Sequence, residues 1–204
     1  MRAEKQTSKI RKEQIARAAM SLIAGQGMKG LSVASVARKV GVVPSALYRH
    51  FKGKEEILAA TVGLLRDLLL ENVRLVRQES GLPLEQLRSL LLRHIQTVRE
   101  FQAIPQILFS EGISDSHPRR KGAVYKMITE YLGQVAEIIA QGQHLGQINP
   151  GLDPKTISVM FLGIVQPPVV LWYLSNGQFE VKKQAERAWE IFQKAIQTKN
   201  PMAE

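Results

Sequence analysis

Apolar residues in the first quarter of the chain recur at helical spacing: Ile15, the pair Ala18 and Ala19, then the pair Leu22 and Ile23. This predicts an amphipathic helix from Thr7 to Ala24, with Gly25 and Gly27 as its stop signal. Ser32 then suits the N-cap of a short helix that turns Val33, Val36, Ala37 and Val40 inward and ends at Gly41. Pro44 suits the first turn of another short helix, PSALYRHF, whose inner residues are Leu47 and Phe51. Two short helices across a tight glycine turn make a helix-turn-helix. The small Ala37 lets the two helices approach, and Gly41 supplies the left-handed backbone of the turn.

From Lys54 onward the periodicity stays helical. A long helix to about Ser80 carries the stripe Ile57, Leu58, Leu64, Leu65, Leu68 and Leu69, and Gly81-Leu82-Pro83 breaks it. A second follows with Leu84, Leu87, Leu91, Ile95 and Val98, then a shorter one from Pro105 to Phe109. SDSHP, 114–118, reads as a loop, and a further helix spans about Arg119 to Leu145. GQINPGLDP, 146–154, is the next break, ahead of the apolar stretch 157–174 and a last amphipathic helix to about Gln197. No alternating strand pattern occurs. The prediction is an all-α protein of about nine helices: an N-terminal three-helix domain over 1–53, its helix-turn-helix at about 32–51, and a larger helical domain over 54–204.

Charge sharpens this division. Residues 1–54 hold 12 Lys and Arg against 2 Asp and Glu, a net of +10, which is the net charge of the whole chain. The remaining residues balance at 16 against 16. A basic footprint confined to one small folded segment points to a polyanion, either nucleic acid or a membrane surface. The stretch ISVMFLGIVQPPVVLWYL approaches the length of a membrane span, but Gln166, Pro167 and Pro168 stand at its centre. It reads as a buried helix at a subunit interface. The chain has no cysteine, which excludes disulfides and thiol chemistry, and its charged start has no apolar run behind it. A cytoplasmic protein is expected.

Gly25-Gln26-Gly27-Met28-Lys29-Gly30 is a literal G-x-G-x-x-G, the pattern that cradles a dinucleotide pyrophosphate. That chemistry needs a preceding strand and an acidic residue about twenty positions on. Here a helix precedes, and the position is His50. The glycines read as a helix end and a turn, and no cofactor is expected. His50, His94, His117 and His144 lie far apart without H-x-x-x-H spacing, so no metal site is expected. No nucleophile elbow or phosphate loop occurs, and no catalytic residue is assigned. HPRRK, 117–121, is a basic cluster at a helix start, able to bind an anion or to stand as a solvated loop.

Over LSVASVARKVGVVPSALYRHFKGKEEIL, residues 31–58, the sequence resembles the DNA-binding module of the TetR family of bacterial transcriptional regulators. Ser32, Val36, Ala37, Gly41, Val42, Leu47, Tyr48, Phe51, Lys54 and Glu55 carry the resemblance, and AAMSLIAGQG is similar to that family's first helix and turn. Farther on, the likeness is one of helix count and length. Pro44, Ser45 and Ala46 occupy the leading turn that a recognition helix presents to base edges. The resemblance implies phosphate contacts by Tyr48, His50 and Lys54, while Ser32 and Val33 add a hydroxyl and helix-start amides. Arg49 suits a guanine or a phosphate equally. The family commonly has Ser or Thr at position 43 and Thr at 46, where this chain has Val43 and Ala46; Pro44 partly offsets the missing cap by pre-setting the backbone.

The resemblance also implies a homodimer held by the last two helices, 155–197, a palindromic double-stranded DNA operator, and a small-molecule effector, with no membrane partner. An apolar pocket with a few polar groups would draw on Gln106, Phe109, Tyr125, Gln134, Gln166, Trp172 and Tyr173. The expected function is a DNA-binding transcriptional regulator, a repressor released by a small apolar ligand. Its rivals are a sequence-nonspecific basic DNA-binding protein, which needs no large neutral domain, and an enzyme, for which no acid/base constellation exists.

Overall fold

The computed structural model describes residues 2–79, 81–109 and 118–198, without the side chains of 2–9 and 109. The helices are α1 (Arg2–Gln26), α2 (Val33–Val40), α3 (Pro44–Tyr48), α4 (Lys54–Gln78), α5 (Pro83–Glu100), α6 (Ile104–Phe109), α7 (Pro118–His144), α8 (Pro154–Gly163), α9 (Gln166–Leu174) and α10 (Val181–Ile196). A short 3-10 turn, Met28–Gly30, follows α1. No strand occurs among the described residues, only an isolated bridge between Ile148 and Gln197. Residues 114–117 of the expected loop lie outside the described residues.

The apolar stretch forms two helices rather than one. α8 ends at Gly163 and α9 restarts at Gln166, with Pro167 and Pro168 in its opening turn, where their missing N–H groups cost nothing. Counting the pair as one broken helix gives nine helices among the described residues, the number expected. By length and composition Pro154–Leu174 is long and apolar enough to cross a membrane, but its backbone turns at Ile164 and Val165. Asp153 caps α8 by accepting the Thr156 amide at 2.8 Å.

The first helix is longer at both ends than the pattern suggested. Gly25 lies inside it, and only Gly27, at φ +68°, takes the left-handed backbone that the glycine cluster was expected to supply. The helix continues past Gly25 because its hydrogen-bond ladder does: the Gly27 amide still donates to Ile23, at 2.8 Å.

Two compact units emerge. The first takes residues up to Asp67 together with Glu100–Met127. In it α1 packs on α2 and α6, and α2 on α3. Ile15, Ala19, Ile23, Leu31, Val36, Ala37, Leu47, Phe51, Ile57 and Leu58 are its buried side chains near the N-terminal helices. Arg17 sets its guanidinium over the Phe101 ring, 5.3 Å from the centroid, fastening the outer face of α1.

The second unit takes Leu68–Arg99 and the chain from Ile128 onward. α9 packs on α8 and α10. Phe192 stacks obliquely between Phe161 and Trp189 at 6.0 and 5.8 Å. The chain beyond α10 is tied back by the Asn149 amide to the Ile196 carbonyl and the Thr198 amide to the Gln147 carbonyl, at 2.9 and 3.1 Å.

This unit also buries a polar pair. His94 Nδ1 and the Tyr131 hydroxyl lie 3.1 Å apart and share a hydrogen bond, their rings edge to face. Burial pushes the imidazole down to about 4 from its ordinary 6.5 and the phenol up from its ordinary value. His94 is therefore neutral when folded, while the unfolded chain takes up a proton near pH 6.5. Stability present above that pH is lost progressively as pH falls toward 4, by about 3 kcal/mol in all. Urea unfolding between pH 7 and 4.5 should show this slope, and the double substitution His94→Phe with Tyr131→Phe should flatten it; an unchanged slope would assign it to other groups.

Candidate nucleic-acid interface

The helix-turn-helix is set by three local devices. Ser32 caps α2 reciprocally: its hydroxyl accepts the Ser35 amide at 3.0 Å, and its own amide donates to the Ser35 hydroxyl at 2.9 Å. Serine thus does what glutamate does in the usual capping box. Gly41 then takes φ +77°, ψ +34°, and its amide turns back to the Ala37 and Arg38 carbonyls. Val43 offers no side-chain cap to α3, and Pro44 follows in the first turn. α3 is shorter than PSALYRHF because the amides of His50 and Phe51 both converge on the Leu47 carbonyl, closing the helix.

Leu47 is the one buried residue of α3. Around it the helix is open: Pro44, Ser45 and Arg49 are exposed, Tyr48 is 58 % exposed and Val43 64 %, while Ala46 and His50 are half-buried. Tyr48 therefore belongs to the surface and not to the core. Large apolar side chains left open within a basic segment suit thymine methyls and the sugar-phosphate backbone. Ser32 is exposed and Val33 half-buried at the head of α2, and Arg38, Lys39 and Lys52 add exposed charge. Arg38 and Lys39 on α2, Val43 just before α3 and Lys52 in the turn after it lie outside the expected contact set.

Lys54 has a second employment. Its ammonium donates to the Met28 carbonyl at 2.7 Å, joining the first turn of α4 to the turn after α1. An ammonium has three donors, so a phosphate can share it.

The expected effector residues divide between the units. Gln106 and Tyr125 lie in the first, with Gln106 half-buried near Gly27 and Tyr125 71 % exposed. The side chain of Phe109, in the same unit, lies outside the described residues. Gln134, Gln166, Trp172 and Tyr173 lie in the second; Gln134 donates to Glu137 at 3.3 Å, Gln166 and Trp172 are half-buried, and Tyr173 is exposed. A cavity of about 240 Å³ in the first unit is lined instead by Arg17, Met20, Ser21, Ala24, Glu100, Phe101 and Gln102. Among the described residues no group of three or more His, Asp or Glu stands close enough to hold a metal ion.

Residues 15–61 match the family of bacterial regulatory proteins described as tetR, and residues 80–196 match the tetracyclin repressor-like C-terminal domain. The chain belongs to the TetR family. It is a DNA-binding transcriptional regulator, and the members of this family are not enzymes. Regulators of the TetR family bind operator DNA and small-molecule ligands and form dimers. Among relatives, the fatty acid metabolism regulator protein of Bacillus subtilis is 22 % identical over 186 residues, covering 91 % of this chain and 95 % of its own length. The nucleoid occlusion factor SlmA of Cronobacter sakazakii is 21 % identical over 197 residues, covering 96 % and 100 %. The solved structure of the fatty acid degradation regulator FadR from Bacillus halodurans shares the fold at a TM-score of 0.78 and 19 % identity, over 89 % of this chain and 94 % of that one. FadR from Bacillus subtilis, solved in complex with stearoyl-CoA, shares it at 0.73 and 22 %, over 90 % and 98 %.

The turn geometry yields a clean test. A Cβ at Gly41 would meet no atom within 4 Å, so Gly41→Ala costs only the left-handed backbone, about 1 kcal/mol. Urea midpoints should fall by that amount with an unchanged denaturant slope; a loss of several kcal/mol would mean that the turn has rearranged.

Proposed function

We propose that residues 1–53 bind a two-fold-related operator, that residues 54–204 take up a small apolar ligand and dimerise, and that the ligand releases the DNA. The observation that carries the DNA half is the open face of α3, with Pro44, Ser45, Tyr48 and Arg49 around a single buried anchor, on the segment that holds nearly all the net positive charge. Ser32, Val33, Ala46, His50 and Lys54 complete the proposed contact set.

The dimer is proposed through α8, α9 and α10. Val159, Met160, Leu171, Leu174 and Ile191 on these helices are each 47–73 % exposed, an apolar surface that a second copy would cover. Leu162, in the same stretch, is buried, so a charge there would test folding rather than association.

The ligand is proposed to be a long-chain acyl compound, an idea supported by relatives that regulate fatty acid metabolism and by the stearoyl-CoA in one of the similar structures. Within the second unit Gln166 and Trp172, both half-buried, are the candidate contacts.

Footprinting on the DNA upstream of the protein's own gene tests the whole. Protection should appear as two half-sites about one DNA turn apart and survive nonspecific competitor. Ile191→Glu should sediment as a monomer and bind that site about a hundredfold or more weakly. A single half-site indifferent to palindrome symmetry, or an Ile191→Glu protein that remains dimeric, would contradict the corresponding half of the proposal.

A further inference from the structure

The match to the family's DNA-binding module begins at residue 15, yet α1 begins at Arg2. Residues 2–14 form an extension about 20 Å long, at about 1.5 Å per residue. Among the described side chains, Ile10 to Gln14 are all exposed, and Ile15 is the first buried one. The extension is basic: Arg2, Lys5, Lys9, Arg11 and Lys12 stand in it. Arg2, Lys5, Lys9 and Lys12 follow one another at steps of three and four, which places them on one face of the helix. That spacing runs on without a break into Ala16, Ala19 and Ile23, all buried, on the helix that packs on α2 and α6. Of the two acidic residues present, Glu13 reaches forward to Arg17 at 3.0 Å. Glu4 stands about 120° round the helix from the middle of the row.

We infer that Arg2, Lys5, Lys9 and Lys12 form a second DNA contact, a row of cations laid along the phosphate backbone beside the site that α3 reads. Like charges three and four apart on a helix repel one another, so the row gains from anions spaced along its length. It runs about 15 Å from Arg2 to Lys12, and a duplex presents one phosphate for every 1.7 Å or so of its axis. The position also fits. α1, α2 and α3 belong to one compact unit in which α2 packs on both others, and the row extends the buried face of α1. A membrane surface fits less well, because an interfacial helix needs an apolar face, and residues 2–14 offer only Ala3 and Ile10. Phosphate contacts carry no base information, so the extension adds affinity and leaves specificity to α3. This inference rests on the proposed DNA reading and deepens it by an element outside the matched module.

Fluorescence anisotropy of the full-length protein on two duplexes tests it, each titrated over a range of salt. One duplex carries the DNA upstream of the protein's own gene, and the other an unrelated sequence. The triple substitution Lys5→Gln, Lys9→Gln and Lys12→Gln should weaken binding to both about tenfold or more. It should also flatten the dependence of log affinity on log salt by about two to three units per bound subunit, since each lost phosphate contact removes about 0.9. Arg11→Gln removes a charge from the far side of the same helix and should leave the slope at its wild-type value. Should the triple variant lose stability, Lys12→Gln alone, at an exposed side chain, keeps the test, with a slope change of about 0.9. A wild-type slope in the lysine variants would overturn the inference. So would an Arg11→Gln slope change equal to that of Lys12→Gln, because net charge and not the row would then govern binding. Unchanged DNA binding by the triple variant, with loss of wild-type binding to phosphatidylglycerol vesicles, would overturn it in favour of a membrane surface. Equal wild-type affinity for the two duplexes would instead contradict the operator reading at that DNA, while the unrelated duplex still decides the row.

Discussion

The DNA-binding segment depends on the first turn of α4. Consecutive helical residues project about 100° apart, so three neighbours can reach three different partners. Lys54 turns to the Met28 carbonyl, Glu55 toward Arg120, and Glu56 back to the Lys52 amide. Gly53, at the helix start, has no side chain to cap it, and Glu56 instead takes the Lys52 amide just outside the helix. Two carboxylates in this turn also suit the positive end of the helix dipole. Ile57 and Leu58, fully buried one residue later, fix the direction of the helix beneath these polar contacts.

With α4 so placed, little else is needed to hold α2 and α3. Val36 and Ala37 bury the inner face of α2, and Leu47 with Phe51 anchors α3 and the chain after it. The remaining surface of both helices is left to solvent and, in this family, to DNA. A five-residue helix with one buried anchor is too short to persist by its own hydrogen bonds. Its orientation is a property of the turns on either side, Gly41 before it and the Leu47 carbonyl after it. The exposed side chains proposed to read the DNA are thus distinct from the backbone turns that aim them.

Much of this was legible in the sequence because it depends on local rules. Ser32 as a cap, Gly41 as a left-handed turn and Pro44 as a helix start each follow from one residue's chemistry, and each stands where expected. The double proline, read as lying inside one apolar helix, instead opens α9, the same first-turn preference that Pro44 shows. What escaped was whatever depends on partners distant in sequence. Lys54 looked like a phosphate ligand because its neighbours resemble those of a family; its bond to Met28, 26 residues away, is set by packing. Gly25 looked like a helix end, yet one more hydrogen bond carried α1 past it. His94 showed no metal-ligand spacing, and nothing local marked it as the partner of Tyr131. Arg120 belonged to a basic cluster that could equally have been solvated, and burial is what distinguishes it. The expected effector residues answer to composition alone, and composition does not say which faces of a helical bundle meet.

Hydrogen exchange on Lys54→Met addresses the role of the α4 turn most directly. The substitution keeps an unbranched side chain of similar length and removes only the donor to Met28. Loss of a charge-assisted bond of this kind should speed exchange of the Gly30 and Val36 amides about tenfold. The amides of Leu87 to Ile95 in α5 should keep their wild-type rates. If Gly30 and Val36 exchange as slowly in Lys54→Met as in wild type, the helix-turn-helix is held by its apolar anchors alone, and the first turn of α4 is not its joint.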